Sequence, residues 1–334
     1  TYKAAVFEKA NAPLTLKDVE LKEPQAGEVL VKVLATGVCR SDQGVQGGAW
    51  GNSFPIVPGH ETIGEIVAVG PRENKWKVGD RVGAPWHGGH DGVCKQCQRG
   101  QFQMCQNEAI NGVTRDGGYA EYVTLRSEAA VRVPKDIDPA EYAPILCAGI
   151  TTFNSIRKMA ISPGETVAIQ GLGGLGHLAI QYANKMGYRV VALSHGDSKK
   201  DFAKQLGAHE YINTSKQDAS EELTKLGGAA LIVVTAPNPE IVTPLTGGLA
   251  AGGKLLILAP CGDVPINTAH LIAKGAGVFG YPSGHALDSE EAIAFTKLEG
   301  VKCMIEKFSL KDAQKAFDHM VKGDVRFRSV IVPE

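Results

Sequence analysis

Gly171-Leu172-Gly173-Gly174-Leu175-Gly176 is the stretch that decides the fold. It follows an apolar run, Thr166-Val167-Ala168-Ile169-Gln170, and opens a segment from His177 to Met186 that reads as a helix. In a G-x-G-x-x-G turn between strand and helix, the first glycine takes the tight bend. The second lets the backbone approach a pyrophosphate, and the third lets helix and strand pack closely. The N–H groups at the start of the helix then face the phosphates. The same letters also occur in ordinary glycine-rich turns, so the strand before and the helix after carry the reading. Gly171, Gly173, Gly174, Leu175 and Gly176 are therefore the candidate dinucleotide contacts.

Further apolar runs follow the turn. Arg189-Val190-Val191-Ala192-Leu193 reads as a second strand, with a helix from Lys199 to Leu206, and His209–Ile212 as a weaker third. Ala229–Val234 and Lys254–Leu258 are strong fourth and fifth strands, and Ala276–Gly280 completes six. Strands without polar alternation, separated by helices, indicate a parallel sheet buried on both faces. Six are the number for a doubly wound dinucleotide-binding fold. At the end of the second strand an acidic residue would bind the ribose hydroxyls, but Ser194 stands there, followed by Lys199 and Lys200. A serine with nearby lysines suits a 2′-phosphate, which favours NADP over NAD. Asp197 is the counter-argument, because it can take the acid's role from the loop, and the lysines can equally be a solvated helix start.

The first 140 residues have a different rhythm. Glu28–Val33, Gly64–Val69 and Gly118–Val123 are short, β-branched or aromatic runs bounded by glycine or proline, as in an irregular antiparallel barrel. After Gly284 the chain turns helical and charged, then ends in the strand-like Phe327–Val332. That strand has no place in the parallel sheet and predicts a return to the N-terminal domain. The layout is then a domain of residues 1–149 and 286–334 interrupted by a nucleotide-binding domain of residues 150–285.

Composition narrows the function classes. The 334 residues carry 35 Lys+Arg and 36 Asp+Glu, a net charge of −1, which gives no support for a nucleic-acid or anionic-membrane surface. No stretch approaches the roughly 20 apolar residues that span a bilayer. The opening Thr1–Phe7 lacks a signal-peptide pattern, so the expected location is cytoplasmic. The 40 glycines, roughly 12% against an average of about 7%, show no three-residue period and so are not collagenous.

Of the 7 cysteines, three form Cys94-x-x-Cys97-x7-Cys105. Without a secretory signal such clustering reads as a metal site before disulfides. A structural zinc wants four tetrahedral ligands, thiolate or imidazole by preference, with carboxylate acceptable. Asp91 continues the i, i+3, i+6 rhythm of Cys94 and Cys97; His90 is the alternative fourth ligand, with His87 close by. The remaining candidates are scattered: Cys39 in Gly37–Asp42, His60 and Glu61 in Pro58–Glu61, and Cys147 in Pro144–Gly149. Spacing alone does not join them.

Taken in order, Gly59-His60-Glu61, the cysteine lobe, the Gly171–Gly176 turn and Arg328 resemble the zinc-dependent medium-chain alcohol dehydrogenases over essentially the whole chain. The run Ala143-Pro144-Ile145-Leu146-Cys147-Ala148-Gly149-Ile150-Thr151 resembles their yeast-like microbial branch. The resemblance implies a GroES-like β-barrel catalytic domain beside the Rossmann domain, enclosing a cleft, and a homodimer or homotetramer. It implies two zinc ions per chain: a catalytic one on Cys39, His60 and Cys147, and a structural one in the lobe. It implies a reaction that interconverts small alcohols with aldehydes or ketones, by hydride transfer to or from NAD(P).

The same resemblance assigns further residues. Asp42 orients His60, Glu61 lies behind the zinc, and Ser41 takes the alcohol proton. Arg40 and Arg328 meet the cofactor pyrophosphate, and Trp86 lines the substrate site, with Trp50 in a loop that also reaches it or simply packs. Two positions depart from the family: Gly44 stands where many members carry a relay histidine, and Asp91 where they usually carry a fourth cysteine. The competing readings are a zinc-free quinone- or enoyl-type reductase and a noncatalytic nucleotide-binding scaffold. The first typically lacks the ligand triad and the lobe; loss of a ligand or of the relay hydroxyl would favour the second.

Overall fold

The strand Thr166–Gln170 sits at the centre of a six-stranded parallel sheet, where all five of its residues are buried. A computed structural model describes residues 1–333. The strand order is Glu210–Asn213, Arg189–Ser194, Thr166–Gln170, Ala229–Val234, Leu249–Ile257, Gly277–Gly280. This is the doubly wound 3-2-1-4-5-6 order. Alternate residues of the central strand point to opposite faces. Val167 and Ile169 join one apolar cluster with Leu231 and Val233, whereas Ala168 joins another with Val191 and Ile232. Two-sided burial explains why these strands show no polar alternation. Each buried aliphatic side chain contributes about 1.5–3 kcal/mol.

The chain forms two compact units, residues Thr151–Ser283 and residues Thr1–Ile150 with Gly284–Glu334. The second contains a seven-stranded, mainly antiparallel sheet. Its path runs Ile305–Ser309, Arg328–Val332, Glu28–Gly37, Thr62–Val69, Arg81–Ala84, Val131–Arg132, and Tyr122–Arg126 also pairs with Glu28–Gly37. The C-terminal strand pairs with Glu28–Gly37 through Val330 opposite Gly37, so the chain end does return to the N-terminal sheet. Its other neighbour, Ile305–Ser309, is parallel to it and was not anticipated in a segment expected to be helical. The expected strand from Gly118 is corrected too: the continuous strand starts at Tyr122, preceded by a single bridge from Ala120 to Ala4. Gly117, Gly118 and Tyr119 donate instead to the carbonyls of Val57, Gly59 and Pro58, which turns the Tyr119 ring inward. Among the described residues, no helix is long and apolar enough to cross a membrane.

Candidate metal centres and dinucleotide turn

Three separate segments converge on the first site. Cys39 lies between the strand Glu28–Gly37 and the short helix Ser41–Gly47. His60 and Glu61 immediately precede the strand Thr62–Val69, and Thr36 pairs with Thr62 across the ladder. That register places both strand ends side by side. Cys147 follows the 3₁₀ turn Ala143–Leu146 and precedes the helix Ala148–Lys158. Ligand atoms of Cys39, His60, Glu61 and Cys147 all lie within 4.8 Å of one another. Spacing in the sequence could not join them; the sheet register does.

The donor set suits a soft dication. The Cys39 and Cys147 sulfurs are 3.8 Å apart. Two thiolates about 2.3 Å from a tetrahedral zinc would be about 3.8 Å apart. Both sulfurs cannot easily ionise as a bare pair. The Cys147 thiol, helped by His60, holds Cys39 well below the usual thiol range, while the Cys39 sulfur and burial push Cys147 well above it. A cation between them removes that conflict. His60 and Glu61 are completely buried, yet His60 Nε2 and Glu61 Oε2 have no hydrogen-bond partner within the protein. Buried polar atoms are seldom left so.

A tight set of neighbours holds these groups. Asp42, itself fully buried, faces His60 Nδ1 with Oδ1 at 3.3 Å and accepts the Cys39 N–H on Oδ2 at 2.9 Å. Burial disfavours the imidazolium, but Asp42 outweighs it and lifts His60 above its ordinary value. The Tyr119 hydroxyl donates to the same Asp42 Oδ2 at 2.8 Å, a partner that sequence reading missed. The one available signal was the glycine flanking His60. Gly59 has φ +107°, and a β-carbon there would lie 2.5 Å from Tyr119 Cδ1. Glu61 is paired with the guanidinium of Arg328. Burial raises the Glu61 carboxyl to about 7, against the pull of Arg328. Gly37 makes room for it, since a β-carbon there would fall 1.9 Å from Glu61 Oε2. Sequence reading placed Arg328 at a phosphate and did not foresee Glu61; its guanidinium is buried, although Nε is left without a partner. Arg40, by contrast, is exposed.

The aromatic residues gather on the same side. The Trp86 ring meets His60 edge-on at 4.9 Å and Trp50 edge-on at 5.3 Å. Ser41 occupies the first position of the short helix, and its carbonyl accepts the Trp50 indole N–H at 3.2 Å.

The second cluster is local. Asp91, Cys94, Cys97 and Cys105 bring ligand atoms within 4.8 Å of one another, with 3.9 Å between the sulfurs of Cys94 and Cys105. Asp91 Oδ1 accepts the Val93 and Cys94 N–H groups, and Oδ2 accepts from Asn107. The Cys94 N–H, then the Asn107 amide, hold the Asp91 carboxyl well below its usual range. Backbone N–H groups of Asp91 and Asn107 point at the Cys105 sulfur. His90 is engaged elsewhere: Nδ1 lies 3.1 Å from His87 Nε2, and its ring stacks on Phe102 at 4.2 Å.

In the nucleotide-binding unit, Gly171 takes φ +95°, a left-handed bend that glycine permits. A β-carbon on Gly173 would meet nothing within 4 Å, whereas one on Gly176 would fall 1.9 Å from the Gly171 carbonyl oxygen. One glycine leaves open space over the turn and the other allows the helix Gly176–Lys185 to start against it. Ser194 is buried at the end of its strand. Asp197 is already held by Lys216 at 2.6 Å and by Asn213 at 2.8 Å, and Lys199 Nζ donates to the Leu172 carbonyl at 2.9 Å.

Comparison with known proteins agrees with this geometry. Residues 25–135 match the alcohol dehydrogenase GroES-like domain and residues 174–298 match the zinc-binding dehydrogenase domain. Alcohol dehydrogenase patD of Penicillium expansum is 58% identical over 331 residues, covering 99% of this chain and 97% of that protein. Among solved structures, acetophenone reductase of Geotrichum candidum in complex with NAD superposes with a TM-score of 0.88 at 27% identity, covering 99% and 97% of the two chains. CAD from Helicobacter pylori complexed with NADP(H) superposes with a TM-score of 0.89 at 26% identity, covering 99% and 97%.

Proposed function

Because the chain belongs to the zinc-type medium-chain alcohol dehydrogenases, and is thereby an NAD(P)-dependent oxidoreductase of small-molecule alcohols and aldehydes, we propose that Cys39, His60 and Cys147 hold its catalytic zinc. The observation that carries this reading is the convergence of two thiols and an unpartnered imidazole nitrogen, with the sulfurs 3.8 Å apart. Three protein ligands leave a position for the substrate oxygen. When bound, zinc supplies Lewis acidity toward that oxygen, and the nicotinamide supplies or accepts the hydride.

The protein's own groups do the rest. Asp42 fixes the orientation of His60 and the Cys39 backbone. Glu61, held by Arg328, stands behind the ligands as a reserve donor. Ser41 Oγ takes the proton of the alcohol in oxidation, or gives one to the oxygen of the carbonyl substrate as it is reduced. Gly44 offers no side chain to carry that proton outward, so the ribose of a bound cofactor and water would have to receive it from Ser41 Oγ. Trp86 and Trp50 wall the substrate. Arg40 and Arg328 would offer guanidinium forks to a pyrophosphate, as the backbone N–H groups of the Gly171–Gly176 turn would.

The finer assignments belong to the same proposal. Asp91, Cys94, Cys97 and Cys105 hold a second, structural zinc, and His90 does not, being committed to His87 and Phe102. NADP is the preferred cofactor: Ser194 carries no charge against a 2′-phosphate, Lys199 and Lys200 are near it in sequence, and Asp197 is already neutralised by Lys216. The chain is of the yeast-like branch, cytoplasmic, and a homodimer or homotetramer. A panel of alcohols and aldehydes assayed with both cofactors, on protein of measured zinc content, tests the reading. Zinc near two per chain and turnover with NADPH support it; full turnover in Cys39→Ser or His60→Ala enzyme would sink it.

A further inference from the structure

The helix Ser41–Gly47 is short and holds glycines at 44 and 47, a poor composition for a helix. Gly44 does not need glycine for its backbone, because it is absent from the positions with left-handed φ. What it needs is room. A β-carbon at residue 44 would lie 2.5 Å from Trp50 Nε1, 3.1 Å from Cε2 and 3.3 Å from Cδ1. The same Nε1 donates to the Ser41 carbonyl at 3.2 Å, three residues earlier on the helix. The indole nitrogen thus occupies the spot that any side chain at 44 would fill. From there it meets Trp86 edge-on at 5.3 Å, and Trp86 meets His60 edge-on at 4.9 Å.

We propose that Gly44 is a specificity-determining positioning residue: its missing side chain seats Trp50 on the helix and so completes the aromatic wall beside His60. The proposal rests on the reading of this site as the substrate-binding end of an alcohol dehydrogenase. It gives a positive role to a position that otherwise looks like a lost relay group. Residues 44 and 50 are a coupled pair. Any larger residue at 44 displaces the indole, breaks its hydrogen bond to Ser41 and leaves Trp86 without its neighbour.

A double-mutant cycle of Gly44→Ala and Trp50→Ala tests this. Alone, Gly44→Ala lowers the melting temperature, because the methyl group collides with the indole. It also raises the iodide quenching of Trp50, read as the difference from a Trp50→Phe background. The ratio of kcat/KM for benzyl alcohol to that for ethanol rises roughly tenfold as the wall opens. In the Trp50→Ala background the sign of the stability effect reverses: alanine favours the helix over glycine and the melting temperature rises by about 2 °C. The substrate ratio then no longer responds to residue 44. An equal loss of stability from Gly44→Ala in both backgrounds, unchanged quenching, or an unchanged substrate ratio would overturn the proposal. A wild-type enzyme inactive on every alcohol would remove the reading beneath it. That failure is told apart because it precedes any variant.

Discussion

Replacing Tyr119 by phenylalanine removes one oxygen atom and nothing else from the support of the first candidate metal centre. The lost hydroxyl donates to Asp42 Oδ2 at 2.8 Å, and both side chains are fully buried. The ring stays, so its contact over Gly59 stays, and no sizeable cavity opens. A buried hydrogen bond to a carboxylate is worth about 2 kcal/mol. For a unit of about 200 residues that corresponds to a fall in melting temperature of about 4–8 °C. The second consequence is chemical. Asp42 keeps the Cys39 N–H at 2.9 Å but loses its other donor on Oδ2, so the carboxylate that faces His60 is held less firmly. Removing groups that orient a metal ligand weakens metal binding by about 10–100-fold. Tyr119 acts through Asp42 rather than on His60 directly, so the low end, about tenfold, applies. The assay pairs a thermal melt with the rate at which a chromophoric chelator withdraws zinc and turnover disappears. Tyr119→Phe protein should melt lower and lose its catalytic metal about ten times faster. A melting temperature within about 1 °C of wild type, together with unchanged metal loss, would refute the claim that Tyr119 steadies the ligand set.

Three further outcomes follow from the same geometry. Cys39→Ser and His60→Ala should each reduce kcat by about a thousandfold or more while circular dichroism keeps its native shape, because they remove a ligand without touching either sheet. Cys97→Ala should drop zinc content from two per chain to one and lower thermal stability, with the remaining metal still supporting turnover; protein that kept both ions would exclude Cys97 as a ligand. Ser194→Asp should move the kcat/KM ratio from NADPH toward NADH by about a hundredfold, through repulsion of the 2′-phosphate and a new acceptor for the ribose. A wild-type enzyme that already strongly prefers NADH would contradict the reading of Ser194.

The nucleotide-binding half was legible because its signals are local. Apolar runs such as Val167–Gln170 are buried on both faces, and Gly171 and Gly176 each satisfy a steric demand within a few residues of themselves. The lobe was legible for the same reason, since Asp91 to Cys105 is one continuous segment. The first ligand cluster was not. Cys39, His60 and Cys147 are joined only by a sheet register and a 3₁₀ turn, and only family resemblance could link them beforehand. Tyr119 and the Glu61–Arg328 pair escaped because their partners are far apart in the chain, as with residues 61 and 328. Of the glycines that flank these residues, only Gly59 takes a left-handed bend; Gly37 serves by being small. Gly44, read as a gap, is filled by Trp50.

The central claim is that Cys39, His60 and Cys147 hold a metal ion distinct from the one in the lobe. Anomalous diffraction recorded on either side of the zinc edge, from crystals grown without added metal, tests it most directly. The account predicts two anomalous peaks per chain, one among the Cys39, His60 and Cys147 ligand atoms and one among Asp91, Cys94, Cys97 and Cys105. A single peak in the lobe, with the Cys39–Cys147 site bare in an enzyme that still turns over alcohol, would contradict it.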